Sequence, residues 1–397
     1  MKLLIYSHAF APSVGGVETI VASLVRGLAK LSNTTDGSSV NATKLEVTVA
    51  TQTPAGDFND GSFPCRIVRR PGVLKLAYLI LRADVVHIAG PALLPMFLSW
   101  YLRKPYVVEH HGYQAICPNG ILLQQPQNIV CPGHFQAGHY GKCIQCESQD
   151  LSWFRAVAAV LLTFPRHFLA ARAATNVPVS YHVAKRIALA RTTVIYHGLE
   201  SESFKPSQQP TAPATIKSEI IRFGYVGRFV PEKGIPILLE AAQTLRKQRD
   251  DFEIVLVGDG PQRPQLEELI RRAHAEDFIR ITGFIQDEKL AAALNSLDVV
   301  VMPSIWEETA GLAAIEQMLR GRPVIVSDIG GLAEVVGDAA LKFPAGNAEQ
   351  LADQMSQLMQ RDGQAADLGK IAQLHANSLF LADRMVADHL AAYHKLR

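Results

Sequence analysis

Short apolar runs alternate along this chain with longer stretches whose apolar positions return every three to four residues, the two periods of strands and amphipathic helices. Lys2–His8 is a short apolar run that predicts a buried strand. Gly15 and Gly16 follow it, and then a helical period from about Val17 to Leu31. A polar loop fills 32–43. Lys44–Ala50, Arg66–Arg69, Asp84–Ala89 and Pro105–Glu109 read as further strands, with a crossover helix over Pro91–Leu102 opened by its proline. Residues 112–150 carry Gly, Pro, Gln and Cys with no clear period. An apolar helix over 151–174 and strands at Thr175–Tyr181 and Thr193–Tyr196 complete the first half.

The stretch 205–219 is polar, with three prolines, and reads as a linker. The rhythm then restarts. Strands are predicted at Ile221–Arg228, Phe252–Val257, Ile279–Ile285, Asp298–Pro303 and Pro323–Ser327. Helices are predicted at Gly234–Lys247, Pro264–Ala275, Leu290–Leu297, Glu308–Arg320, 348–360 and 378–394. Alternating strand and helix predicts an α/β protein with parallel sheets. The expected domains are 1–204 with an insert at 112–150, a linker at 205–219, and 220–377. The terminal segment 378–397 is expected to pack back on the first domain.

Composition narrows the classes. With 397 residues, 48% hydrophobic and 19% charged, the chain fits a cored protein rather than a disordered, collagenous or coiled-coil one. A net charge of +2 offers no footprint for nucleic acid. Five cysteines are too few for a dense disulfide scaffold, and a cytoplasmic protein is expected. Tyr6, Ser7 and His8 interrupt the N-terminal apolar run, so a strand–helix start explains it better than a signal peptide. No stretch reaches about 18 apolar residues without a charge, so no membrane span is expected. The charge is uneven: residues 1–200 hold 18 Lys and Arg against 10 Asp and Glu, and the remainder 21 against 27. A basic half suits an anionic partner.

Several residues carry candidate chemistry. Gly15 and Gly16, between a strand and a helix, let a ligand approach the backbone where the helix N-terminus favours an anion. Their spacing is not the dinucleotide fingerprint, and Gly258-Asp259-Gly260-Pro261 is a turn too short to supply it. Arg228 and Lys233, in GYVGRFVPEKG, follow a strand of a parallel sheet, where two cations can clamp a diphosphate. Glu308 and Glu316 bracket TAGLAAI. Eight residues along the helix predicted from Glu308 put Glu316 on roughly the same face, about 12 Å along the axis. A retaining carboxylate pair stands about 5 Å apart, so the two suit opposite ends of one extended ligand. The amides of Thr309, Ala310, Gly311 and Leu312 would open that helix toward a phosphate.

Taken with HHGY, LVGDGP and PSIWEETAGLAAIEQMLRGRPVIVSDIGG, these motifs resemble the large retaining glycosyltransferase family 4, the glycosyl transferases group 1. The resemblance spans nearly the whole chain and is strongest over 221–345. It implies two Rossmann-like domains facing across a deep cleft, the GT-B fold. It also implies a nucleotide-diphosphate sugar donor held mainly by the second domain, and no catalytic metal. Gly16 then falls near the donor phosphate and His111 at the reacting sugar. Arg228 and Lys233 fall on the diphosphate, Glu308 at sugar hydroxyls and Glu316 at the ribose. The chain departs from the usual pattern at His197-Gly198, at Glu200 and at TAG after Glu308. His110, next to His111, reads as structural.

Cys117, Cys131, Cys143 and Cys146 lie in the insert with spacing C-x13-C-x11-C-x2-C. Four thiols suffice for a tetrahedral zinc ion; a redox pair or free thiols are the alternatives. The pattern resembles a cysteine-containing bacterial subgroup acting on polysaccharide or lipid-linked acceptors. Three functions remain open on the residues alone: the glycosyltransferase, a non-hydrolysing sugar-nucleotide epimerase, and a non-catalytic sugar-nucleotide-binding protein. Arg155, Arg166 and Arg172 among the apolar positions of 151–174, with a second apolar segment at 93–101 followed by Arg103 and Lys104, suit a helix resting on an anionic membrane surface. The alternative is a buried crossover helix.

Overall fold

The computed structural model describes residues 1–33, 45–200, 220–360 and 363–396; the expected linker 205–219 and residues 34–43 of the polar loop lie outside them. The chain divides into two compact units. The first contains Met1–Pro126, Cys131–Glu200 and the C-terminal stretch from Leu379; the second takes the residues between, with Gln127–Val130.

In the first unit the elements run β1 (Lys2–Ser7), α1 (Gly16–Asn33), β2 (Glu46–Thr51), β3 (Arg66–Arg69), α2 (Val73–Arg82), β4 (Val85–Ala89), α3 (Leu93–Tyr101), β5 (Tyr106–His110), β6 (Leu123–Gln124), β7 (Ile129–Val130, counted with the second unit), α4 (Tyr140–Glu147), α5 (Trp153–Ala171), β8 (Thr175–Pro178) and α6 (Tyr181–Ile187). The main sheet is parallel, in the order β3-β2-β1-β4-β5-β8. Every residue of β4 and β5 is buried, so these strands read as apolar runs without alternation, broken only by His87 in β4 and by Glu109 and His110 in β5. Helix α1 buries Ile20, Val21, Leu24, Val25 and Leu28 along one stripe.

The second unit repeats the plan. Its elements are β9 (Ile221–Val226), α7 (Ile235–Arg246), β10 (Phe252–Val257), α8 (Arg263–Arg272), β11 (Ile279–Gly283), α9 (Asp287–Asn295), β12 (Val299–Met302), α10 (Leu312–Leu319), β13 (Val324–Ser327), α11 (Gly330–Val336), β14 (Leu341–Phe343), α12 (Ala348–Gln360) and α13 (Gln364–Leu379). The sheet is again parallel, β11-β10-β9-β12-β13-β14. Both sheets have the Rossmann order, with the strand sequence reversing beside the first strand of each, β1/β4 and β9/β12. Helix α14 (Ala382–His394) then returns to the first unit and packs on α1, where a Cβ at Gly27 would stand 2.4 Å from Val386.

Several expectations need correction. The helix read over 378–394 is the end of α13 followed by α14, parted by extended Leu381. The helix expected from Glu308 starts only at Leu312, because Gly311 takes a left-handed φ of +57° at its cap. Thr193–Tyr196 is not a strand; a single bridge joins Thr192 to Asn176. Helices α2, α6, α11 and nearly all of α13, together with strand β14, were not foreseen, and the insert holds α4. Finally, α5 is long and apolar enough to cross a membrane by length and composition, with 28% of that stretch buried. Arg155 and Arg166 break its charge-free run without removing its apolar character.

Candidate functional site

In the second unit the predicted residues gather where β9 and β12 end. Arg228, just beyond β9, is exposed, and its carbonyl accepts from the Tyr225 hydroxyl at 2.8 Å. Lys233 closes a 3-10 turn, Pro231–Lys233. The next residue, Gly234, has φ +64°, and a Cβ there would stand 2.0 Å from the carbonyl oxygen of Pro303. Only glycine lets this turn press so closely on the end of β12. The turn brings Lys233 Nζ to 2.8 Å from Glu308 Oε1, and the Ser304 hydroxyl donates to the same oxygen. Glu308 is only 4% exposed, so its charge is matched inside the protein.

Glu308 lies in a loop ahead of α10, and the 12 Å expected from helical rise does not describe its relation to Glu316. A pair of glycines holds that loop. Gly331 N–H donates to the Glu308 carbonyl at 2.6 Å. A Cβ at Gly331 would meet the Thr309 oxygen at 2.1 Å, and one at Gly330 would meet Glu307 Cα at 2.7 Å. Gly330, Gly331 and Ser304 were given no role in the sequence reading, although SDIGG was a visible motif. Gly311 caps α10 and Leu312 begins it, so their amides point out of the helix start. Glu316, half-buried on α10, has its carboxyl pushed up by burial, with Arg320 opposing.

In the first unit His111 follows β5 and belongs to a buried cluster. Its Nδ1 lies 3.0 Å from His197 Nε2 and its Nε2 lies 3.3 Å from Glu109 Oε2. His87 on β4 places Nε2 3.1 Å from the same carboxylate oxygen. From α14, His389 Nε2 stands 3.7 Å from Glu109 Oε1, and the Tyr393 hydroxyl 3.0 Å from His87 Nδ1. Glu109, His87 and His389 are fully buried. Burial alone would raise the Glu109 carboxyl; His111 and the hydrogen bonds from His111 and His87 hold it well below the usual carboxylate range. Burial pushes His197 down to about 3 and His389 down to about 4. His110 turns the other way, to Asn176 Oδ1 at 2.8 Å, and burial pushes it down to about 4.

Sequence reading found His111 and noted His197 as a departure, but missed Glu109, His87, His389 and Tyr393. The available signal was a polar residue inside each of two apolar strands, VVHIA and YVVEH.

The other candidates stand apart. Gly15 and Gly16 head α1, whose first turn also carries the carboxylate of Glu18. Glu18 accepts from the Ser13 hydroxyl at 3.3 Å, and its Oε2 would lie 2.4 Å from a Cβ at Gly15. Cys117, Cys131, Cys143 and Cys146 border one cavity of about 20 Å³ with His134 and Glu147. The Cys146 sulfur accepts from the Gln125 amide at 3.2 Å, and Cys117 S–H donates to Asn119 Oδ1 at 3.0 Å. Burial pushes Cys117 and Cys143 up to about 12. Among the described residues, the sets of three His, Cys, Asp or Glu with ligand atoms within 4.8 Å of one another are His87–Glu109–His389 and Glu109–His111–His197. Neither contains a cysteine. Thiolates around tetrahedral zinc stand roughly 3.8 Å apart, given Zn–S bonds of about 2.3 Å, so the cysteines as arranged do not fit the expected zinc site.

Residues 211–375 match the family Glycosyl transferases group 1. A 2-deoxystreptamine N-acetyl-D-glucosaminyltransferase of Niallia circulans is 30% identical over 317 residues, covering 78% of this chain and 75% of its own. A 2-deoxystreptamine glucosyltransferase of Streptomyces kanamyceticus is 33% identical over 48% of this chain; the match spans about half, 51%, of that relative's length. Among solved structures, Anabaena HepE in complex with UDP and glucose superposes with a TM-score of 0.72 at 18% identity, covering 100% of both chains. That likeness is one of fold: two parallel-sheet α/β domains of the GT-B type.

Proposed function

The chain belongs to the glycosyl transferases group 1, and from that membership we propose that it is a retaining glycosyltransferase of family 4, taking a sugar from a nucleotide-diphosphate sugar and passing it to a glycan or lipid-linked acceptor. The observation that carries this reading is the Lys233–Glu308 pair at the carboxyl edge of the second sheet. A buried carboxylate fixes a cation there, with the exposed guanidinium of Arg228 nearby in sequence and the amides of Gly311 and Leu312 opening a helix. Such a set suits a diphosphate that gains charge as it leaves. Glu316 would take the ribose hydroxyls, and Glu308 the sugar hydroxyls.

The retaining route we propose is front-face attack. Glu308 is engaged by Lys233 and Ser304, so it is a poor nucleophile for double displacement. The acceptor hydroxyl would lose its proton to the departing diphosphate. His111 acts at the reacting sugar as a fixed, polarised ring rather than as a free base, since both ring nitrogens are directed at protein groups. No metal is assigned to the leaving group. The UDP and glucose held by HepE, and the sugar transfers named for the relatives, support a nucleotide-sugar donor.

We further assign the acceptor side to an anionic membrane surface on its cytoplasmic face. Support comes from α5 and α3. Phe154 is 80% exposed, and Trp153, Leu161, Leu162, Phe164 and Phe168 are exposed as well. Helix α3 packs on α5 through Trp100 and Phe168, with ring centroids 5.9 Å apart, and adds exposed Phe97 and Tyr101. Residues 151–199 contain six Lys and Arg and no Asp or Glu. An apolar face on a helix that carries arginines and no carboxylate of its own matches an anionic interface.

The test of the donor reading is a panel of nucleotide sugars. One of them should raise the melting temperature, since it binds only the folded state. The same one should release nucleotide slowly without acceptor. Interconversion of epimers, or binding with no turnover under any acceptor condition, would overturn the transferase assignment.

A further inference from the structure

The first unit holds a buried carboxylate that the proposed chemistry has not used. Glu109 is fully buried, yet four groups from three parts of the chain converge on it or on its partners: His87 from β4, His111 after β5, and His389 and Tyr393 from α14. Its place follows from strand geometry. Glu109 and His111 are two residues apart at the end of β5, so they share a side, and β5 pairs with β4 in the register Ala89–Glu109, beside His87.

The proton order can be read from the partners. A carboxylate only accepts, so His87 donates through Nε2–H and its Nδ1 accepts from the Tyr393 hydroxyl. In the same way His111 presents Nε2–H to Glu109, which leaves its Nδ1 to accept from His197 Nε2–H. His389 gives its Nδ1–H to the Met385 carbonyl at 2.9 Å, so its Nε2, 3.7 Å from Glu109 Oε1, carries no proton to donate and His389 packs beside the carboxylate without a hydrogen bond to it. One carboxylate oxygen thus faces both rings, hydrogen-bonded to His87 and 3.3 Å from His111 Nε2, and the Tyr393–His87 and His111–His197 hydrogen bonds flank it on either side.

We propose that Glu109 is the positioning residue of His111, holding it in the Nε2–H tautomer and in one ring orientation, and that Tyr393 of the C-terminal helix, acting through His87, sets Glu109 in turn. The inference rests on the reading that His111 acts at the reacting sugar. A second consequence follows from chain order. Helix α14 comes after the whole second unit, so the first unit's histidine site is completed only by the last residues of the chain. The carboxylate also places a negative charge behind the ring, where a sugar gaining positive character would be favoured.

The experiment is a double-mutant cycle on the full chain, with kcat and donor Kd measured separately. Glu109→Gln keeps the shape and removes the charge. It should lower kcat by about tenfold, the scale of losing a group that orients a functional histidine, with donor Kd within about twofold and a cooperative melt. In a His111→Ala background the same change should cost nothing more, because the group it positions is gone. Nitrogen-15 spectra of the histidine side chains should show His111 leaving the Nε2–H tautomer in Glu109→Gln.

If Glu109→Gln does not fold, Tyr393→Phe decides. It removes one hydroxyl and should lower kcat roughly threefold, the worth of one hydrogen bond, again only while His111 is present. Full activity in His111→Ala would sink the underlying reading of His111. Loss in His111→Ala with unchanged kcat and tautomer in Glu109→Gln, or equal further losses in the His111→Ala background, would sink the positioning role alone. One bound metal ion per chain, released by His87→Ala, would also overturn it, since Glu109 would then be a ligand.

Discussion

Lys233 and Glu308 hold each other, Nζ to Oε1 at 2.8 Å, with the lysine side chain 22% exposed and the glutamate 5%. The lysine is therefore no loose surface cation waiting for an anion. Removing it strips the counter-charge from a buried carboxylate. Lys233→Ala should weaken donor binding at least tenfold and cost about 1–3 kcal/mol of stability, the penalty of leaving a buried polar group short of its partner. Lys233→Met with Glu308→Gln should recover most of the stability and none of the donor binding. Calorimetric donor titration and urea denaturation separate the two effects. A variant with unaltered donor affinity would remove Lys233 from the diphosphate.

Glu316 supplies a pH signature. Burial raises its carboxyl above the usual range, and Arg320 only partly opposes this. A carboxylate accepts from ribose hydroxyls, whereas the protonated acid loses part of that capacity. Donor affinity should accordingly begin to fall, as pH is lowered, before an ordinary glutamate would protonate. Glu316→Gln should bind donor more weakly at pH 8 and show a flatter profile. Donor Kd from pH 8 to pH 5 is the measurement, and an unchanged slope in the variant would reassign the ribose contact.

How much of this was visible in the sequence depends on the kind of interaction. Strands β1, β4, β5, β9, β10, β12 and β13 are short and mostly apolar and buried, so their apolar runs locate them. Helix α2, VLKLAYLILR, was missed because its few turns sit between two strands with no capping signal at Gly72. Lys233 and Glu308 were each legible as chemistry, but their pairing is not. It is made by Gly234 pressing on Pro303 and by Gly331 holding Glu308, contacts between residues about 70 and 23 positions apart. Glu109 and its histidines were hidden for the same reason: they come from β4, β5, a loop and α14, and a single histidine or glutamate in a strand signals nothing until its partners are known. The four cysteines were legible as a cluster, but spacing cannot say how near their sulfurs approach.

The buried histidines predict how stability responds to acid. Burial pushes His110 and His389 down to about 4 and His197 down to about 3. In an unfolded chain each would titrate near 6.5. Between roughly pH 6.5 and 4 the unfolded state therefore binds protons that the folded state refuses, and stability falls as pH drops through that window. The first unit should show it most, because all three residues belong to it. Thermal melting at pH 7.5, 6 and 5 should show a progressive decrease, and His110→Asn should make it shallower. A melting temperature that is level across the window would mean these rings are not held neutral.

The membrane assignment makes the most demanding prediction, because α5 admits a second explanation as an interface between protein chains. The apolar face spans Trp153, Phe154, Leu161, Leu162 and Phe168, all exposed, and Arg172 lies over the Phe168 ring at 4.3 Å. A protein interface would be expected to tolerate acidic residues at its rim. Helix α5 itself carries Arg155 and Arg166 and no Asp or Glu, with Asp150 just ahead of it, a balance that favours a negatively charged surface. The protein should sediment with vesicles containing phosphatidylglycerol or phosphatidylserine and much less with neutral phosphatidylcholine. Because cations at an exposed rim are screened, binding should fall steeply between about 50 mM and 500 mM salt. Phe154→Ser with Leu161→Ser should abolish sedimentation through lost apolar insertion. Arg155→Gln with Arg172→Gln should weaken it and reduce its salt dependence. Both pairs should leave the melting temperature nearly unchanged, since the mutated residues of the first are exposed and the second alters surface charge. Donor binding by the second unit should also be unaffected. Equal sedimentation with neutral and anionic vesicles, or a concentration-dependent dimer that Phe154→Ser with Leu161→Ser breaks while vesicles do not bind, would give this face to a protein partner.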